Sequence, residues 1–121
     1  MAGIVFLKTN ELARVVEFYR DEVGMKTWLE QPDICILAHG NLLLGFHAQP
    51  EADTQGMFTF FFRTAAEVDV MYARLKSCAT TVPKTNERYR IYHFFGKDPE
   101  GRAIEFQAFL HPVEAPGGEW G

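Results

Sequence analysis

Between Asn10 and Leu75 the chain carries the same amphipathic spacing twice. Leu12, Val15, Val16 and Tyr19 stand at i, i+3, i+4 and i+7, and Val68, Met71, Tyr72 and Leu75 repeat the pattern, so each set lines one face of a helix. Each helix follows a strand-like run, Ile4-Val5-Phe6-Leu7 and then Thr59-Phe60-Phe61-Phe62. The first helix is expected to begin at Asn10 as N-cap, with Glu11 complementing the helix dipole, and to end at Gly24 in the left-handed conformation. Strands are expected over Lys26 to Leu29, Asp33 to Ala38 and Asn41 to His47, parted by Gln31-Pro32 and by the turn His39-Gly40-Asn41.

This is a β-α-β-β-β module over residues 1–49, and a Pro- and acid-containing stretch over 48–56 reads as a linker. The second module, 57–110, opens on a strand. Thr64 with Glu67 three residues later forms a capping-box pattern for a helix running to about Cys78. An ill-defined segment around Thr80 to Val82 and a loop from Pro83 to Arg88 come next. Tyr89 to Phe95 and Arg102 to Phe109 then form a hairpin across Asp98-Pro99-Glu100-Gly101. Residues 111–121 read as an irregular tail, in which Trp120 is a candidate for docking on a surface or a partner subunit.

Alternation assigns strand faces. Ile104 and Phe106 belong under a helix, and Glu105 and Gln107 face the other way, in a strand too apolar to be simply solvated. By the same parity His93 and Phe95, Ile4 and Phe6, Gly45 and His47, and Thr59 and Phe61 lie on the faces away from the helices, whereas Phe60 and Phe62 are core. The duplicated units point to a cavity between them. Trp28, on a short strand, is a candidate for its mouth.

Composition narrows the function. A net charge of −4 with interspersed signs leaves no basic stripe, so nucleic acid is not an expected partner. No apolar run approaches the roughly 20 residues of a membrane span, and the chain starts at once with a strand, so a cytoplasmic protein without membrane contact is expected. Cys35 and Cys78 lack metal or redox spacing and read as free thiols. Eleven phenylalanines supply both core and candidate cavity walls.

Two segments carry a family resemblance. The run from Phe6 to Leu12 leading into Glu17-Phe18-Tyr19-Arg20-Asp21-Glu22-Val23-Gly24-Met25 resembles the strand and helix end of the vicinal oxygen chelate superfamily. That superfamily includes glyoxalase I, extradiol dioxygenases and bleomycin-resistance proteins. The segment Phe94-Phe95-Gly96-Lys97-Asp98-Pro99-Glu100-Gly101-Arg102-Ala103-Ile104-Glu105 is similar to its second-module hairpin. The resemblance implies an α+β fold of two tandem βαβββ modules, a curled mixed sheet around a cavity with helices on the outer face, and a homodimer.

It also implies four inward positions for a divalent metal, which fall on Ile4, Gly45, Thr59 and Glu105. Only Glu105 is a strong ligand, so no metal cofactor is expected. A small apolar or aromatic molecule is then the expected partner, contacted by Ile4, Phe6, His47, Thr59, Phe61, His93, Phe95, Glu105 and Gln107. Bleomycin-resistance proteins, which sequester a drug unchanged, are the nearest analogy. The alternative is a lyase, isomerase or dioxygenase-like enzyme using a rearranged His47/His93/Glu105 metal site, or Glu105 and His93 as catalytic acid and base. An interaction module with a filled cavity is a third reading. Phosphate-loop, Ser-His-Asp and dinucleotide fingerprints are absent from the sequence.

Overall fold

The computed structural model describes residues 1–116 and divides into two units, Met1–Thr54 and a second beginning at Gln55. The first contains β1 (Val5–Thr9), α1 (Leu12–Glu17), a π-helical segment (Phe18–Val23), β2 (Lys26–Gln31), β3 (Ile34–His39) and β4 (Leu42–Ala48). The second contains β5 (Met57–Phe62), α2 (Ala65–Leu75), β6 (Lys84–Asn86), β7 (Ile91–Lys97) and β8 (Ala103–Phe109). Strand order is β1-β4-β3-β2 in one sheet and β5-β8-β7-β6 in the other. In each, the first strand lies parallel to the last and the other pairs are antiparallel. The duplicated helix pattern therefore reports a duplicated βαβββ topology.

In the first unit Val15, Val16 and Tyr19 are buried, as their spacing predicts, and Tyr19 stacks on Phe46 of β4 with ring centroids 5.2 Å apart. The start of α1 differs from expectation. Its N-cap is Glu11 and no side chain of that residue caps it. The buried Thr9 hydroxyl, at the last residue of β1, accepts the Glu11 amide at 3.1 Å. Past Glu17 the helix widens to i→i+5 bonding, with Gly24 N donating to Tyr19 O at 3.1 Å. Phe18, Tyr19 and Val23 are thereby all turned inward. Gly24 ends the helix at φ 100°, where a side chain would strain the backbone.

In the second unit Thr64 and Glu67 form the expected capping box, and α2 buries Val68, Met71 and Leu75. Beneath it Phe106 stacks on Phe60 and on Phe94, each at 5.2 Å between centroids. Full burial of each such ring is worth about 1.5–3 kcal/mol. The segment expected to be a loop, Pro83 to Arg88, contains β6. Its residues Lys84, Thr85 and Asn86 pair with His93, Tyr92 and Ile91. A three-residue polar edge strand is held by backbone bonds alone and leaves no hydrophobic alternation to read. Beside it Thr80 N donates to Phe95 O at 2.8 Å, and the chain after α2 passes so close to Gly96 that a Cβ there would lie 3.1 Å from Cys78 O.

The β7–β8 hairpin turns on a buried ionic knot. Arg102, 1% exposed, donates to Asp98 Oδ2 at 3.1 Å and to Glu100 Oε1 at 2.9 Å. Asp98 Oδ1 accepts the amides of Glu100 and Arg102, both at 2.9 Å. This fixes the register that puts Phe95 opposite Glu105 and His93 opposite Gln107. Cys35 is buried and both cysteines are free. Burial, and after it the nearby Glu30, push the Cys35 thiol up and keep it protonated. Among the described residues no helix is long and apolar enough to cross a membrane.

Candidate functional site

On β8 the residues Ile104, Phe106 and Ala108 are fully buried on the helix side, so Ala103, Glu105, Gln107 and Phe109 face the opposite way. β7 likewise turns Tyr92 and Phe94 toward α2, where the Tyr92 hydroxyl donates to Asp69 at 2.6 Å, and presents Ile91, His93 and Phe95 on the far face. Thr59 of β5 stands directly opposite Glu105 in the parallel ladder.

These registers bring three polar side chains together. Thr59 Oγ1 donates to Glu105 Oε1 at 2.8 Å, and His93 Nδ1 lies 2.6 Å from Glu105 Oε2. His93 and Glu105 are each 6% exposed, so the pair is largely shielded from water. His93 is diagonal to Glu105 across the hairpin and meets the Phe95 ring edge-on at 5.0 Å. A buried carboxylate with one neutral hydroxyl donor and one imidazole is a satisfied arrangement, and the imidazole is held in a fixed orientation.

The same face carries a pocket of about 500 Å³. Met57, Ile91, Phe95 and Phe109 form its apolar wall, His93, Glu105 and Gln107 its polar side, and Asn86 and Tyr89 complete the lining. Four expected ligand contacts, His93, Phe95, Glu105 and Gln107, thus line one pocket. Thr59 reaches it through Glu105. Phe61 does not line it but sets its ring edge against Phe109 at 5.6 Å. Met57, Ile91 and Phe109 were legible by parity with Thr59, His93 and Gln107. Tyr89 shares the parity of Ile91 and His93 in the strand expected from Tyr89 to Phe95, but β7 starts at Ile91 and Tyr89 reaches the pocket from the turn before it; Asn86, on β6, was not legible.

The remaining expected residues belong to the first unit. Phe6 pairs with Gly45, and a Cβ on Gly45 would fall 2.5 Å from the Phe6 ring, so that ring lies over bare backbone, 54% exposed. Ile4 is near the same glycine. The His47 ring contacts the Gln49 amide, 3.2 Å from Nε2. Trp28, 58% exposed, sits where the β2–β3 register slips. His39 is partly buried, which lowers its pKa. The expected docking residue Trp120 lies outside the described residues.

The four metal positions do not fit a metal. Ile4 and Gly45 offer no donor, the Thr59 hydroxyl is spent on Glu105, and the two oxygens of Glu105 are taken by Thr59 and His93. Among the described residues no group of three or more His, Cys, Asp or Glu side chains gathers to hold an ion.

The model of the Glyoxalase/Bleomycin resistance protein/Dioxygenase superfamily matches residues 3–106. The chain belongs to that superfamily. Its members of known structure share the fold at low identity. A glyoxalase-related enzyme from Fulvimarina pelagi is 13% identical with a TM-score of 0.79, covering 100% of this chain and 96% of its own. A glyoxalase/bleomycin resistance protein/dioxygenase family enzyme from Burkholderia phytofirmans PsJN is 18% identical with a TM-score of 0.77, covering 88% and 97%. Lactoylglutathione lyase from Agrobacterium tumefaciens is 21% identical with a TM-score of 0.73, covering 89% and 92%. At these identities the likeness within the superfamily is one of fold. No curated protein matches the chain.

Proposed function

We propose that this superfamily member binds a small, flat, largely apolar molecule in the second-unit pocket, with no metal at the family position. The observation that carries the reading is the composition of one pocket. Aromatic and aliphatic walls from Met57, Ile91, Phe95 and Phe109 face a fixed His93–Glu105 pair and the Gln107 amide. Ligand sites commonly take this form, an apolar cleft of 300–1,000 Å³ with a few placed polar groups. Burying about 100 Å² of an aromatic ring there is worth roughly 2.5 kcal/mol by area, before polar contacts and the cost of association. Unelaborated fragments should therefore bind at micromolar affinity at best.

The 2.6 Å contact between His93 Nδ1 and Glu105 Oε2 favours a second reading, in which the pocket also performs acid–base chemistry. An imidazole oriented by a buried carboxylate is the usual support of a general base. Ligand-observed NMR with naphthalene as probe tests the binding reading. Saturation transfer to the probe that weakens in Phe95→Ala supports it, and no transfer at millimolar probe would sink it. Turnover of a bound compound that disappears in His93→Gln would promote the second reading over the first.

A further inference from the structure

We propose that this pocket selects ligands through a hydrogen-bond donor, an aromatic hydroxyl in particular, which His93 Nε2 accepts. The inference rests on the binding reading above and names the chemistry of the molecule bound. It begins at Thr59, whose hydroxyl donates to Glu105 Oε1 and leaves Oε2 for the histidine. A carboxylate only accepts hydrogen bonds, so the proton in the 2.6 Å contact belongs to His93 Nδ1. In the neutral imidazole the other nitrogen, Nε2, is then an acceptor.

Nε2 has no hydrogen-bond partner among the described residues. No buried side-chain nitrogen or oxygen among them is left unpartnered, so Nε2 must open onto free space, and His93 lines the pocket. Opposite His93 in the ladder stands Gln107, whose amide also has no partner among the described residues. It is free to meet a second polar group of the ligand. The walls beside them are the rings of Phe95 and Phe109.

Charge sharpens the choice. Among the described residues no lysine or arginine lines the pocket, while Glu105 does. An anionic ligand would meet a carboxylate with no cation to offset it. A neutral ring bearing O–H fits both conditions: its face is apolar and its one polar group donates.

The test compares 2-naphthol, its methyl ether 2-methoxynaphthalene, and 2-naphthoate on the full chain at neutral pH, by calorimetry or chemical-shift titration. The naphthol should bind about tenfold more tightly than the ether, the size of one well-made hydrogen bond, and naphthoate should bind most weakly. In Glu105→Gln, Thr59 still donates to the amide oxygen, so the amide N–H₂ faces Nδ1 and moves the ring proton to Nε2. The preference for naphthol over ether should then vanish. Should that variant fail to fold, the ¹⁵N shifts of His93 in the wild-type protein read the same point, Nδ1 protonated and Nε2 bare.

Equal binding of naphthol and ether overturns the donor rule and leaves the pocket reading standing. Tightest binding by naphthoate, or a proton found on Nε2 in the wild type, overturns it as well. Binding by none of the three sinks the pocket reading and the proposal with it.

Discussion

Glu105 faces Phe95 in the β7–β8 ladder, yet its carboxylate reaches diagonally to His93, 2.6 Å from Nδ1. Two groups this close and this dry should be coupled in stability, because truncating either leaves the other buried and short of a partner. A double-mutant cycle of His93→Ala and Glu105→Ala, read by urea unfolding, should give an interaction energy of about 1–3 kcal/mol. Additive single-mutant losses would show that the contact contributes no coupling.

The donor set predicts the response to metals. Zinc, iron, nickel or manganese should leave the melting temperature nearly unchanged, because Ile4 and Gly45 cannot ligate and the oxygens of Thr59 and Glu105 already serve each other and His93. Elemental analysis that found about one ion per chain, lost in Glu105→Ala, would refute this.

Where side chains alternate or repeat, the fold is legible in the sequence. The spacing of Val68, Met71 and Leu75, the Thr64–Glu67 box and the Asp98–Gly101 turn all mark real element boundaries or buried faces. Parity on β7 and β8 likewise set His93, Phe95, Glu105 and Gln107 on one face, the face that carries the pocket. What the pattern hid was held by backbone. Lys84-Thr85-Asn86 reads as loop because an exposed edge strand buries nothing, and so Asn86 was missed as lining. Asn10 outranks Glu11 as an N-cap by residue type, but the helix takes Glu11 as its N-cap and the Thr9 hydroxyl accepts the Glu11 amide. Phe61 has the right parity but packs its ring edge against Phe109 outside the lining, a matter of side-chain packing that no periodicity reports.

The hairpin knot should be unusually sensitive. Burial alone would lower the Arg102 pKa, but hydrogen bonds and charge attraction from Asp98 and Glu100 outweigh it and leave the guanidinium firmly ionised. Removing Asp98 takes away a guanidinium partner and the acceptor of two amides together. Asp98→Ala should cost about 3–5 kcal/mol, the range for breaking a buried pair, and more than Glu100→Ala. Equal midpoint shifts for the two variants in urea would contradict that ranking.

His39 gives a pH dependence with a definite sign. Burial lowers its pKa below the ordinary value of about 6.5, so on acidification the unfolded chain takes up the proton first. Its contribution to stability is complete above pH 6.5 and is lost as the pH falls through the lower folded value. Wild-type protein should therefore lose more stability between pH 7 and pH 5 than His39→Gln does. Parallel curves for the two would remove the assignment.

The two faces of the second sheet should separate stability from binding. Phe60 is 2% exposed and stacks on Phe106 beneath α2, whereas Phe109 lines the pocket on the other face. Phe60→Ala opens a cavity in the core and should cost about 3–5 kcal/mol while leaving the affinity of the folded protein for naphthalene within about twofold. Phe109→Ala removes a pocket wall. It should weaken the same probe several-fold and cost less stability, since its ring already borders open space. Thermal unfolding and probe titration on both variants decide the point, and the opposite assignment of effects would mean that the sheet presents its ligand face toward α2.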